Sequence, residues 1–109
     1  MAAAKKYFRH EGFDVEDVSA RRSYDLLCRQ DTRELHVEVK GTTTDGDVIV
    51  LTNNEVKHAC NPRNLCVLFI QHSIRLKNQK ASGGKRLVLD PWRLQQVHLT
   101  PVSYTYRLR

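Results

Sequence analysis

No stretch of the chain is apolar for long enough to span a bilayer, and the start Met-Ala-Ala-Ala-Lys-Lys has no signal-peptide apolar core. Neither a membrane-embedded nor a secreted protein is expected. Cysteine is scarce and poorly spaced: Cys28, Cys60 and Cys66 form no Cys-x-x-Cys pair. An odd count without a secretion signal suggests reduced thiols in a cytoplasm. A zinc set of His58, Cys60, Cys66 and His72 matches no standard spacing, so buried structural cysteines are expected instead. There is no internal repeat and no second domain. At 109 residues the chain reads as one domain, 1–109. Its bare start also fits a domain cut from a longer protein.

What is present is charge of one sign in excess. The net charge is +6, with a sequence pI near 9.5. That favours a polyanionic partner, although many basic proteins bind no nucleic acid. Hydrophobic residues make up 40% and charged residues 28%. This is ordinary for a soluble globular domain and sufficient for a core without disulfide staples.

The most informative stretch is Asp25 to Lys40, which reads as a β-hairpin. Leu35, Val37 and Val39 alternate with Glu34, His36, Glu38 and Lys40, the period-2 signature of a half-buried strand. Residues two apart share a face, so Glu38 and Lys40 stand side by side. Ser23 to Cys28 is the partner strand. A two-residue loop at Asp31-Thr32, or a four-residue loop around it, sets Asp25 opposite Glu38 and Ser23 opposite Lys40. A three-residue loop would break this arrangement. Opposed like charges destabilise a sheet unless compensated, and a divalent cation is the natural compensator. A solvated hairpin face with a balancing lysine is the plainer reading.

Along the chain, residues 2–10 read as a helix stopped by Gly12, and 13–18 as a short strand. Val48 to Leu51 reads as a buried strand. Thr52-x-x-Glu55 is a capping box opening a helix, with Val56, Ala59 and Cys60 as its apolar stripe and Asn61-Pro62 as its end. Leu65 to Ile70 reads as a strand buried on both faces. Residues 71–86 have no apolar period and are expected as a flexible basic loop. Leu87 to Leu89 is a short strand, Trp92 a core plug, and 102–108 a last edge strand. The order α-β-β-β-(β)-α-β points to an α/β fold, a mixed sheet flanked by helices.

This order and these residues resemble the PD-(D/E)xK nuclease superfamily. The resemblance is to the Mrr-like restriction endonucleases and, within them, the domain named after the plant protein NO VEIN. It is carried by Asp17-Val-Ser19, Tyr24-Asp25-Leu26, Val37-Glu-Val-Lys-Gly-Thr42, Leu51-Thr-Asn-Asn-Glu55 with Ala59, and Asp90-Pro91-Trp92. It implies a restriction-endonuclease-like αβββαβ core and a Mg²⁺-dependent endodeoxyribonuclease, with Mn²⁺ an alternative ion. Asp25, Glu38 and Lys40 would be catalytic, and Asp25, Glu38 and the Val39 carbonyl would be metal ligands. Many relatives carry a further acid on the first helix. Here residues 2–10 hold none, and Glu11 sits at the helix end.

The expected partner is DNA, in a restriction or defence role, with no membrane. Cleavage of both strands would need a homodimer or two binding events, and a helicase or recognition domain is a further partner expected. Arg75, Lys77, Lys80, Lys85 and Arg86, with Asn54 and His36, are candidate nucleic-acid contacts. Each has an ordinary alternative: a solvated loop, an exposed helix-start Asn, an exposed strand histidine. Glu55 is accounted for by its cap, though from the helix start it can reach the metal site. Two other functions compete: a catalytically weak nucleic-acid-binding module and a protein-interaction domain.

Overall fold

The alternating stretch forms the central strand of a five-stranded sheet in the computed structural model, which describes residues 1–109. The elements are α1 (Ala2–His10), β1 (Asp14–Asp17), β2 (Leu26–Gln30), β3 (Arg33–Gly41), α2 (Asn53–Cys60), β4 (Cys66–His72), β5 (Arg75–Lys77), β6 (Lys80–Ser82) and β7 (Lys85–Leu89). The sheet order is β1-β2-β3-β4-β7, with β5 and β6 forming a separate ribbon. Only β3 and β4 run parallel; the other neighbours are antiparallel. The fold is therefore mixed α/β, and its first six elements follow the expected αβββαβ order. No helix is long and apolar enough to cross a membrane.

One face of the sheet carries the larger core. Leu26, Cys28, Leu35, Val37, Val67 and Phe69 are buried there beneath Ala4 and Phe8 of α1. Phe8 and Tyr7 meet edge to face at 4.9 Å, and both rings reach Phe69. Burying a side chain of this size contributes roughly 1.5–3 kcal/mol. Gly12 ends α1 with a φ of 91°, and a Cβ there would lie 2.8 Å from the Gln30 side chain. The positive φ is what calls for glycine, since the Gln30 amide is the far end of a flexible side chain and can give way.

The β2–β3 turn settles the register. Gln30 pairs with Arg33 and Leu26 with Val37, so the loop is Asp31-Thr32, with Asp31 at φ 54°. That is the left-handed region two-residue hairpin loops use at their first position. β3 and β4, being parallel, need a long crossover. Residues 42–65 provide it and lay α2 over the second sheet face.

Several expectations need correction. Val48 to Leu51 is not a strand, and Val48 and Val50 are exposed. Both edges of β3, the strand it follows, are already taken by β2 and β4, and the run joins neither outer strand of the sheet, β1 or β7. The tail 102–108 is likewise unpaired, with Val102, Tyr104, Tyr106 and Leu108 exposed; alternation supplies a pattern but not a partner. Residues 71–86 are not a loop: they complete β4, form the β5–β6 ribbon and begin β7. Backbone pairing there needs no apolar face. Trp92 is half-buried rather than a core plug. Cys28 and Cys66 are buried, whereas Cys60 is exposed on α2.

Candidate active site

Asp25 lies one residue before β2 and so at the end of the sheet where β3 finishes. Its own N–H donates to the Val37 carbonyl at 2.9 Å. Its Oδ2 accepts from the Val39 N–H at 2.8 Å. Val37 and Val39 therefore point their backbone groups toward β2, and the alternation of an extended strand turns the Val39 carbonyl the same way. Glu38 projects on the face opposite the α1 core, where Asp25 is its neighbour. The two carboxylates share a face, as the turn length implied.

Glu38 is only 4% exposed and is the one charged residue among those buried. Burial foremost pushes its carboxyl up, to about 9; hydrogen bonding to Glu55 and the charge of Asp25 push the same way. Glu38 thus holds a proton at neutral pH in the absence of a cation. Glu55 moves the other way. Burial alone would raise it, but hydrogen bonds from Glu38, the Thr52 backbone and Lys40 outweigh burial and bring it down to about 2. Glu38 is the protonated partner of the pair and Glu55 the ionised one.

In the sequence Glu55 reads chiefly as a cap, and the capping box is complete: Thr52 N–H donates to Glu55 Oε1 at 2.7 Å, and Glu55 N–H to Thr52 Oγ1 at 3.2 Å. The same carboxylate also accepts from Lys40 Nζ at 3.1 Å through both oxygens. Lys40 Nζ lies 3.5 Å from Glu38 Oε1. The lysine is therefore wedged between two carboxylates rather than free on a strand face. Beside this group a polar cleft of about 200 Å³ opens between the β1–β2 loop and the start of α2, lined by Arg22, Ser23, Asp25, Asn54 and Glu55 among others. A larger depression, of about 760 Å³, runs along α1 from Met1 to His10 and contains no carboxylate.

α1 holds no acid, and the acid nearest Lys40 from a helix is Glu55 of α2. Glu11 is exposed, and its carbonyl faces the Gln30 side chain at the turn end of the hairpin. Five residues of strand, about 17 Å, separate Gln30 from Asp25. Glu11 does not substitute at the site; Glu55 joins it instead. All the donors are hard oxygens, which suits Mg²⁺, and a carboxyl kept neutral by burial among other acids has a site-like character. No three His, Cys, Asp or Glu side chains are arranged as a ready metal cluster.

The sequence model of the family described as Protein NO VEIN, C-terminal, matches residues 1–80. The chain belongs to this family. The matched part runs from α1 to the first residue of β6 and takes in Asp25, Glu38, Lys40, Asn54 and Glu55. No curated protein and no solved structure matches the chain.

In this NO VEIN C-terminal domain the other predicted contacts separate. Asn54 is exposed at the mouth of the cleft. His36 is not an open surface histidine. Its ring stacks on Tyr24 at 4.1 Å, its Nδ1 is 2.8 Å from His58 Nε2, and its Nε2 is 3.2 Å from Glu34. Burial, then the charge of His36, holds His58 below the usual imidazole range. This imidazole pair docks α2 on the sheet and was missed in the sequence. A signal existed: Glu55 and His58 are three apart, so they share one helix face. Arg86 lies over the Tyr7 ring at 4.6 Å, on the α1 side. Arg75, Lys77 and Lys80 belong to the ribbon, and Lys85 opens β7. Asp17, in the first resembling motif, is held near pKa 2, first by the Ser19 hydroxyl and then by the Ser19 N–H and Lys5; it fastens the β1–β2 turn.

Proposed function

We propose that this domain is a metal-dependent endonuclease of the PD-(D/E)xK kind, hydrolysing phosphodiester bonds in DNA in a restriction or defence setting. One observation carries the reading: Asp25, Glu38 and Glu55 gather with Lys40 on one face, and Glu38 is buried so deeply that its carboxyl keeps a proton at neutral pH. Such an arrangement costs stability, which a purely structural face has no reason to bear.

The groups that would hold Mg²⁺, or Mn²⁺, are Asp25, Glu38 and the Val39 carbonyl. Bound there, the ion would polarise the scissile phosphate and lower the pKa of a water. The chain's own residues do the rest. Val39 N–H fixes the Asp25 carboxylate. Glu55, itself fixed by the Thr52 N–H, aims the Lys40 ammonium. Lys40 then stabilises negative charge developing on the phosphate and orients the attacking water.

A second reading, a catalytically weak nucleic-acid-binding module, is favoured by a different observation. The carboxylates are satisfied by a backbone N–H, a shared proton and an ammonium, without any cation.

Plasmid nicking in Mg²⁺, beside thermal melting with and without the ion, separates the two. Asp25→Asn is expected to abolish nicking and the Mg²⁺-induced melting shift. Above about pH 9, where Glu38 ionises, it should also raise the melting temperature of the metal-free protein, because there it removes a charge facing the Glu38 carboxylate. Lys40→Ala is expected to abolish nicking while retaining the Mg²⁺ shift. If Asp25→Asn lowers the metal-free melting temperature and Mg²⁺ shifts neither protein, the binding module is the correct reading.

A further inference from the structure

The β5–β6 ribbon stands apart from the main sheet, and its chemistry is one-sided. Arg75 pairs with Ser82, Leu76 with Ala81 and Lys77 with Lys80. Arg75, Lys77 and Lys80 thus share one face. Lys77 and Lys80 are directly opposed, a pairing that disfavours the ribbon in isolation. No acid relieves it: none occurs in the sequence between Glu55 and Asp90, and none of the three cations forms an ion pair. Asn78 and Gln79 close the ribbon at φ 51° and 64°, the tight turn that matches strand twist.

The root of the ribbon is tied to the site. Because β3 and β4 are parallel, Lys40 sits beside Ile70 and Gly41 beside Gln71. Past that point Thr42 N–H donates to the Gln71 carbonyl, Ile74 N–H to the Thr42 carbonyl and Ser73 N–H to the Thr44 carbonyl. Gly84, at φ 94°, lies so close that a Cβ would be 2.8 Å from the His72 carbonyl. The segment leaving Lys40 and both ends of the ribbon are one bonded unit, and Lys77 is at most about 23 Å of extended chain from Ile70.

We infer that the β5–β6 ribbon enters the major groove of a B-form DNA duplex, with Arg75, Lys77 and Lys80 on the phosphates, and so makes duplex DNA rather than duplex RNA the substrate of the site at Lys40. This rests on reading that site as one acting on phosphodiesters. The dimensions agree: three residues per strand give about 10 Å of length, against a groove about 12 Å wide and 8.5 Å deep that admits a two-stranded ribbon. The major groove of A-form RNA is too narrow and deep to be entered. The tip presents the amides of Asn78 and Gln79, groups that pair with the N6 and N7 atoms of adenine.

The test is binding to a short DNA duplex and to the RNA duplex of the same sequence, without divalent ions, across a series of salt concentrations. The intact chain should prefer DNA. Replacing Arg75, Lys77 and Lys80 together with Gln should lower the log–log salt slope by about 2.7, near 0.9 for each phosphate no longer neutralised, and erase the preference. Lys77→Arg with Lys80→Arg should keep both. Placing 7-deazaadenine in the DNA should weaken binding by the intact chain. Equal binding of the two duplexes, or an unchanged slope in a triple variant that melts normally, overturns the proposal. Because no metal is present, an inactive site would leave these results unaltered, and a failed ribbon would leave nicking by the intact chain in place.

Discussion

Replacing Glu38 with Gln is the substitution whose effect the structure specifies most fully. Burial raises the Glu38 carboxyl from its ordinary 4.5 to about 9. Between these values the folded chain keeps a proton that the unfolded chain has released. Stability is then greatest below the lower value and falls as pH rises toward the upper one, by up to about 1.4 kcal/mol per pH unit. Neighbouring groups define the usable window. Glu55 is depressed to about 2, so its contribution is present above its ordinary value and is lost only in acid. His58 is depressed, so it costs stability only below its ordinary 6.5. Cys28 and Cys66 are raised from 9.0 and act only in alkali. From pH 6.5 to 8.5, Glu38 dominates, and the metal-free protein should lose roughly 2–3 kcal/mol, on the order of 10 °C in melting temperature. Glu38→Gln cannot titrate, so its stability should be level across the window. Denaturant unfolding at three pH values, with a chelator, measures both slopes. Mg²⁺ should restore more stability to the unmodified chain at pH 8.5 than at 6.5, since the ion competes with a proton. Parallel slopes in the two proteins would refute the argument.

Two further outcomes follow. Thr52→Ala removes half the capping box and should cost about 1 kcal/mol; by loosening the start of α2 it should also reduce nicking, measured beside the melting curve. In the native protein a thiol reagent should modify Cys60 alone, with Cys28 and Cys66 reacting only on unfolding, because both are buried and raised, Cys28 to about 12; mass spectrometry counts the adducts.

The parts of the fold legible in the sequence were those fixed by local rules. Period-2 alternation marked β3, the Thr52–Glu55 box marked the start of α2, and Gly12 marked the end of α1. The register between Asp25 and Glu38 was legible because two-residue hairpin loops are short and common. What was not legible depended on partners. Val48 to Leu51 has strand composition but no free strand beside it. The ribbon has two strands and almost no apolar pattern. Glu55 read as a cap because its contact with Lys40 spans the crossover, and no local pattern shows which way α2 returns over the sheet. His36 read as exposed for the same reason.

The two-residue turn at Asp31-Thr32 makes the candidate site depend on the length of the chain more than on its composition. One residue added or removed there would shift β2 by a single step against β3 and exchange its two faces. Asp25 would then be directed toward the side packed by Phe8 and Phe69, while Leu26, after an addition, or Tyr24, after a removal, would take its place beside Glu38. Every side chain of the constellation would still be present, and a comparison of residue identities would score the site as intact. For this domain, an unchanged count of residues between Asp25 and Glu38 is as much a part of the site as the carboxylates themselves.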